Sequence, residues 1–172
     1  GYVMEPYQFY FEQGWNSIGL VGRREPIVIG GLRLTQVAKP VSYGELVELY
    51  KAEGLAVTSG QFVKVQGEHS TYRSDPTLYP VFDQGDPTVE PYHPALIKLN
   101  TIGGWRWNTP GQWISWDIEV PEAGLYMIAF KAKQNENRAS YSSRRLYLNG
   151  EVPFSEVDAI SFPFSNQYQM KV

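Results

Sequence analysis

Residues 111–130, Gly-Gln-Trp-Ile-Ser-Trp-Asp-Ile-Glu-Val-Pro-Glu-Ala-Gly-Leu-Tyr-Met-Ile-Ala-Phe, constrain the fold of this chain more than any other stretch. Ile114, Trp116, Ile118 and Val120 fall on one face, and Trp113, Ser115, Asp117 and Glu119 on the other. That is the period of two of a half-buried strand. Pro121-Glu122-Ala123-Gly124 then reverses the chain: proline presets the backbone at the turn entry, and Gly124 can take a positive φ. Residues 125–130 follow as a second strand. Two alternating strands joined by a tight turn mark a β-sandwich.

Further segments read the same way. Residues 8–12 alternate with Phe9 and Phe11 on one face, and Gln13-Gly14 turns the chain before a run at 15–20. Ile27-Val28-Ile29 leads into Gly30-Gly31, after which Leu32 and Leu34 resume the alternation. Residues 62–66 alternate, and a run at 144–148 ends in Asn149-Gly150, a strong two-residue hairpin signal. One helix is expected, over residues 42–52. Ser42 caps it, Glu45 sits three residues on, Leu46, Leu49 and Tyr50 share a face, and Gly54 stops it. Lys39-Pro40 and Ser59-Gly60 flank this connecting helix.

Composition agrees with an extracellular β domain. A length of 172 residues gives room for one sandwich with a core, and 15% aromatic residues suit paired sheets and ligand platforms. A formal charge of −3 leaves no basic footprint, so nucleic acid is not an expected partner. There is no cysteine, hence neither a disulfide nor a thiolate metal site, which suits a secreted Gram-positive protein and a cytosolic one alike. No apolar run approaches a membrane span and no signal peptide is read, so no direct membrane insertion is expected of this segment. The opening Gly1-Tyr2 reads as the interior of a larger protein.

Little in the chain points to catalysis. His69 and His93 are the only histidines, and neither lies in a nucleophile or zinc pattern. Glu119 with Glu122, or Asp83 with Asp86, can be drawn as a glycosidase pair, but any chain of this size offers such pairs. Gly30-Gly31 and Gly103-Gly104 read as bends or bulges rather than phosphate loops. The chain is therefore read as not an enzyme.

Aromatic and amide side chains concentrate in the irregular segments. Residues 100–110, Asn-Thr-Ile-Gly-Gly-Trp-Arg-Trp-Asn-Thr-Pro, carry Trp105 and Trp107 beside amides and Arg106. Sugars ask for that mixture, because their C–H faces stack on rings while their hydroxyls need planar hydrogen-bonding partners. A second polar segment, residues 134–145, lies between two strands and converges on the first if both leave the same end of the sandwich. Either tryptophan can instead plug the end of the core. Trp116 belongs to the core face, and Trp113 faces solvent, a ligand or a covering loop.

Several of these pieces resemble a family. Gly111-Gln112-Trp113-Ile114-Ser115-Trp116, Val120-Pro121-Glu122-Ala123-Gly124-Leu125-Tyr126 and the segment 146–154 are similar to carbohydrate-binding-module-like jelly rolls of families 6 and 35. These galactose-binding-like regions are embedded in large extracellular solute-binding lipoproteins of ABC sugar transporters from Paenibacillus-type Firmicutes. Ser74-Asp75-Pro76-Thr77-Leu78-Tyr79-Pro80, Asp86-Pro87-Thr88-Val89-Glu90-Pro91-Tyr92, Leu99-Asn100-Thr101-Ile102-Gly103-Gly104 and Phe162-Pro163-Phe164-Ser165 resemble recurrent pieces of the same proteins. The likeness runs from about residue 60 to the end.

The resemblance implies an all-β jelly-roll sandwich, circularly permuted relative to the usual module. Strands resembling the module's closing pair come first here, at residues 1–38, and a linker with the short helix spans 39–59. The main body follows at 60–172, with the whole expected to form one compact domain. It also implies a structural Ca2+, with Glu68 where one ligand is expected and Asp117 as a second. Gln66 stands where another acid belongs, and Asp83, Asp86 and Glu90 form an alternative acidic segment.

The function so implied is non-catalytic carbohydrate binding, accessory to oligosaccharide capture and ABC-transporter import. The expected sugar contacts are Trp105, Trp107, Asn135, Asn137, Arg138, Tyr141 and Arg144. The expected partners are an oligo- or polysaccharide and other domains of a solute-binding protein, at a Gram-positive cell surface, lipid-anchored through a part outside this chain. Two alternatives stand beside it: a structural or interaction domain of a solute-binding protein with no ligand of its own, and an accessory module of a glycoside hydrolase.

Overall fold

The computed structural model describes residues 9–24, 26–34, 39–55, 57 and 60–172. The chain divides into two units, Gly1–Lys39 and Pro40–Val172. Among the described residues of the first unit, the turn expected at Gln13-Gly14 is present as a bend with Gly14 at φ 116°. Asn16 Nδ2 closes it by donating to the carbonyls of Glu12 at 2.8 Å and Gly14 at 3.1 Å. The runs expected as strands at 15–20, 27–29 and 32–34 carry no ladder there. Tyr7, Gln8 and Ser59 lie outside the described residues.

Among its described residues the second unit is mainly β, with one α-helix. Helix α1 (Tyr43–Ala52) precedes eight short strands: β1 (Tyr72–Arg73), β2 (Pro80–Val81), β3 (Thr101–Ile102), β4 (Ile114–Ser115), β5 (Phe130–Ala132), β6 (Tyr141–Arg144), β7 (Ile160–Pro163) and β8 (Gln169–Lys171). They form four two-stranded antiparallel sheets, β1 with β4, β2 with β3, β5 with β8, and β6 with β7. No helix among the described residues is long and apolar enough to cross a membrane.

Helix α1 forms as its sequence predicts. Ser42 and Glu45 close a capping box, the Ser42 hydroxyl accepting from the Glu45 N–H and the Glu45 carboxylate accepting from the Ser42 N–H at 2.8 Å. The helix is docked rather than loose. The Tyr43 N–H donates to the Glu156 carboxylate at 3.0 Å, the Tyr43 ring lies 5.1 Å from that of Phe154, and the Ser155 N–H donates to the Val41 carbonyl at 2.8 Å. The hairpin signal at Asn149-Gly150 also forms. Leu148 and Glu151 exchange both backbone hydrogen bonds, at 2.8 and 3.1 Å, around Asn149 at φ 52° and Gly150 at φ 87°. Positive φ at both central residues is the twist that matches a hairpin.

The two runs at 113–120 and 125–130 do not pair with each other. The first pairs with β1, and its contact extends past the assigned strand through Thr71 N–H to Ser115 O at 2.8 Å and Ser74 N–H to Trp113 O at 3.0 Å. The second run joins its ladder only at Phe130, opposite Lys171, while Leu125 bridges Val57. Residues 121–124 bend the chain without a ladder across them. The strand expected at 144–148 is likewise displaced to β6, and residues 62–66 belong to no assigned strand. Alternation marks which side chains share a face, but it carries nothing about which distant strand supplies the hydrogen bonds.

A repeated turn organises the centre of the unit. Asp75-Pro76-Thr77-Leu78-Tyr79-Pro80 and Asp86-Pro87-Thr88-Val89-Glu90-Pro91 share the pattern Asp-Pro-Thr-aliphatic-x-Pro. In each the Asp carboxylate accepts from the Thr N–H at 2.8 Å and from the Thr hydroxyl, and the Asp carbonyl accepts from the aliphatic residue's N–H. Proline presets φ at the second position of the turn. The aliphatic residue is thereby driven inward, and Leu78 and Val89 are the buried aliphatic side chains among the described residues.

Candidate functional site

Residues 104–113 form the surface that best fits a ligand, and neighbouring elements fix it. Gly103, at φ 103°, turns the chain where a side chain would be strained, and a Cβ there would come within 3.3 Å of Trp107 Cε3. Gly104–Arg106 then make one 3-10 turn. Trp107 is half-buried behind it. Its Nε1 donates to the Gln112 carbonyl at 3.0 Å, and the Arg144 guanidinium of β6 lies 4.2 Å over its ring while Nη2 donates to the Trp107 carbonyl at 2.9 Å. With Gly103 against it and Arg144 over one face, Trp107 is a packing ring. Burial lowers the Arg144 pKa from its ordinary value, since the charged form loses solvation there.

Trp105 stands on the outer side of the same turn and is 71% exposed. Next to it the Arg106 guanidinium stacks 4.4 Å over the Tyr79 ring. The first Asp-Pro-Thr turn and the 109–113 segment are tied together as well. Ser74 Oγ accepts from the Trp113 N–H at 2.9 Å, and Gln112 Oε1 accepts from the Thr109 N–H at 3.1 Å. The Asp75 carboxyl is held below its ordinary pKa first by the Thr77 N–H and hydroxyl, with Gln112 adding to it. Trp113 is half-exposed and Trp116 half-buried, but Ile118 and Val120, which the alternation places on the core face with Trp116, are exposed. Tyr79, Arg106, Gln112 and Trp113 complete a surface that the sequence reading had centred on Trp105 and Trp107. Tyr79 and Arg106 are far apart in the chain, and only the repeated turn brings them together.

The second polar segment is built differently. Gln134 is buried, and its side chain uses both ends: Nε2 donates to the carbonyls of Asn137 at 3.0 Å and Ser140 at 3.1 Å, while Oε1 accepts from the N–H groups of Glu136 at 3.0 Å and Asn137 at 2.9 Å. One inward amide thus closes the loop, leaving Asn135, Asn137 and Arg138 on its exposed rim. Arg138 lies 6.0 Å over the Phe164 ring, and Tyr141, the first residue of β6, is exposed. This loop precedes β6, whereas Arg144 meets Trp107 at the strand's far end. Three residues of strand span about 10 Å. Of the seven expected contacts, Trp105, Trp107 and Arg144 therefore gather at one end of β6, and Asn135, Asn137, Arg138 and Tyr141 at the other.

A groove of about 140 Å³ between β5, β7 and β8 is lined by Lys133, Gln134, Phe162 and Met170 among others. It is smaller than the several hundred Å³ usual for a small-molecule site, and none of the seven residues lines it. Behind it, Asp83 pairs with Lys133 and accepts from the Tyr168 hydroxyl at 2.9 Å.

The two residues implied for the cation, Glu68 and Asp117, differ in their settings. Glu68 is buried, and neither carboxylate oxygen has a hydrogen-bond partner among the described residues. The His69 Nε2 is 4.0 Å away. A buried carboxylate without partners is the kind of group a hard cation relieves. Asp117 is exposed, and what it offers locally is its N–H, which donates to Thr71 Oγ1 at 2.8 Å. Among the described residues no group of three or more His, Cys, Asp or Glu side chains is gathered.

No protein-family model, no curated protein and no solved structure matches this chain.

Proposed function

We propose that this chain is a non-catalytic carbohydrate-binding module with a jelly-roll sandwich, accessory to oligosaccharide capture and ABC-transporter import at a Gram-positive cell surface. The reading draws on the sequence resemblance to the family 6 and 35 modules of solute-binding lipoproteins. The observation that carries it is Trp105, 71% exposed on the 3-10 turn that leads into Trp107, which Arg144 and the Gln112 carbonyl hold in place. An exposed ring on a turn so anchored offers a flat face to a sugar at little conformational cost. Trp105, Arg106, Tyr79 and Trp113 form the contact surface, with Trp107 and Arg144 as its support. Asn135, Asn137, Arg138 and Tyr141 belong to a separate polar rim. A cation held by Glu68 would neutralise that carboxylate and brace the turn at 67–69.

The test is a glycan-array screen with and without Ca2+, followed by calorimetry on each hit with the wild type, Trp105→Ala and Trp107→Ala. Trp105→Ala abolishes binding without changing thermal stability. Trp107→Ala lowers both binding and stability. A well-folded protein that binds nothing would replace this reading with a second one, a bracing domain within a solute-binding protein or beside a glycoside hydrolase. Ile118, Val120, Met127 and Ile128 favour that second reading, because they expose apolar surface between residues 118 and 128.

A further inference from the structure

We propose that Asn149 is a self-modification site: its side-chain amide closes onto the Gly150 nitrogen and is hydrolysed to aspartate and isoaspartate, which opens the hairpin that Leu148 and Glu151 close. This goes beyond the carbohydrate-binding reading and needs no reactant but water.

The argument starts from what surrounds the Gly150 nitrogen. Leu148 and Glu151 exchange both backbone hydrogen bonds at 2.8 and 3.1 Å, but among the described residues neither the Gly150 N–H nor the Asn149 side-chain amide has a partner. Both residues are exposed, and a Cβ at Gly150 would meet nothing within 4 Å. The attacking nitrogen is unshielded. Ring closure needs a rotation about the Asn149 Cα–C bond, and a following glycine does not obstruct it. The tip is closed by an isolated bridge rather than a ladder, so it opens locally at low cost.

The other asparagines are withheld from this chemistry. Asn16 Nδ2 donates to the carbonyls of Glu12 and Gly14 at 2.8 and 3.1 Å, and buried Asn100 donates to those of Asp83 and Pro91 at 2.9 and 3.1 Å. After Asn108, Asn135 and Asn166 the attacking nitrogen is itself engaged. The Thr109 N–H donates to Gln112 Oε1 at 3.1 Å, the Glu136 N–H to Gln134 Oε1 at 3.0 Å and the Gln167 N–H to Ser165 Oγ at 3.1 Å. Asn137 precedes Arg138, whose long side chain crowds its nitrogen. Asn149 alone precedes glycine.

The atoms balance without an oxidant or reductant. The Gly150 nitrogen loses its proton and bonds to Asn149 Cγ, the Cγ–Nδ2 bond breaks, and ammonia leaves with that proton, giving a succinimide ring. Water then opens the ring. Attack at Cγ breaks the new bond and leaves aspartate, whereas attack at the main-chain carbonyl carbon of Asn149 breaks the original peptide bond and leaves isoaspartate. Either product puts a carboxylate where a neutral amide stood. Isoaspartate also adds a methylene to the main chain, and a two-residue turn with its central residues at φ 52° and 87° has no place for it.

The experiment incubates the whole chain at mildly alkaline pH in water enriched in heavy oxygen and maps its fragments by mass spectrometry. The fragment holding Asn149 takes up heavy oxygen and splits into aspartate and isoaspartate forms before a fragment holding any other asparagine does. Uptake quickens as pH rises, because the deprotonated nitrogen is the nucleophile, and it is lost in Asn149→Gln, whose ring would be larger. Earlier conversion of another asparagine would overturn the assignment, as would an Asn149 that converts in urea and stays an amide in the folded chain. Hydrogen exchange reads the consequence. The Leu148 and Glu151 N–H groups lose protection in the isoaspartate form and keep it in Asn149→Asp, which adds the charge without the methylene. Equal protection in the isoaspartate form and the unmodified chain would overturn the opening of the hairpin.

Discussion

The loop at 134–140 and the turn at 67–69 each place one polar side chain in the interior, and Gln134 and Glu68 are buried to the same extent, each 8% exposed. Their surroundings are opposite. Gln134 has four backbone partners within 3.1 Å, so its burial organises the loop around it. Glu68 presents two carboxyl oxygens with no hydrogen-bond partner among the described residues. Burial of a polar group is therefore not one thing: a satisfied amide is a scaffold, whereas an unsatisfied carboxylate is a cost until something external meets it. The pair separates what the chain stabilises by itself from what it holds ready for a ligand.

The most damaging way to break this contrast is to replace Gln134, first by Gln134→Ala. It leaves two N–H groups and two carbonyls without their partner, at about 1–3 kcal/mol for each buried group left unsatisfied. The rim residues are exposed and water replaces part of the loss, so we expect about 2–3 kcal/mol of destabilisation in urea. Gln134→Glu keeps the acceptor but sets a buried carboxylate oxygen against the Asn137 and Ser140 carbonyls, and it should destabilise at least as much as Gln134→Ala. If Gln134→Ala proves as stable as the wild type, the amide is not the scaffold of its loop. Binding at Trp105 should survive, because the two loops sit at opposite ends of β6.

A smaller effect, of the opposite sign, is expected at Glu68. Without divalent cations Glu68→Gln replaces a buried, unpartnered carboxyl group at nearly constant volume, and it should stabilise the chain by about 1–2 kcal/mol. Added Ca2+ should raise the melting temperature of the wild type and leave that of Glu68→Gln unmoved. Destabilisation by Glu68→Gln in chelator would show that the carboxylate has an internal partner. A wild type indifferent to Ca2+ would remove the cation from the account.

How much of this was legible in the sequence follows from the range over which each signal acts. The capping box of Ser42 and Glu45, the Asn149-Gly150 hairpin and the Gln13-Gly14 turn are set by neighbouring residues, and the sequence predicts all three. Strand partners are set by distant segments. The pairing of β4 with Tyr72–Arg73, and of Phe130 with Lys171, leaves no local mark. Strands β6 and β8, Tyr-Ser-Ser-Arg and Gln-Met-Lys, lack the apolar alternation that would announce them. Within the site, Trp105 and Trp107 stand out by composition, but their division into an exposed platform and a packed ring depends on Arg144, which comes from another strand. Nothing in residues 134–145 tells which amide turns inward. The Asp-Pro-Thr repeat was readable by eye, and it positions both buried aliphatic side chains and Tyr79.

The smallest expected effect tests whether an internal ion pair belongs with Gln134 or with Glu68. Burial pushes the Asp83 carboxyl up, but the Lys133 ammonium, the Gly85 N–H and the Tyr168 hydroxyl together outweigh it and hold the pKa below its ordinary value. A depressed carboxylate pKa contributes stability that is complete at neutral pH and is lost as pH falls below about 4. Tyr168 moves the other way: burial first, then its hydrogen bond to Asp83, raise its pKa, so the hydroxyl stays a donor and its contribution fades only as pH rises above about 10. Tyr168→Phe should cost about 1 kcal/mol at pH 7, with the difference from the wild type shrinking as pH falls through the depressed Asp83 pKa and the carboxyl no longer rewards the donor. Chemical denaturation of both proteins across the acid range measures it. A difference that stays constant with pH would mean that Tyr168 acts through its ring, on which Lys133 stacks at 4.8 Å, and that Asp83 is satisfied without it.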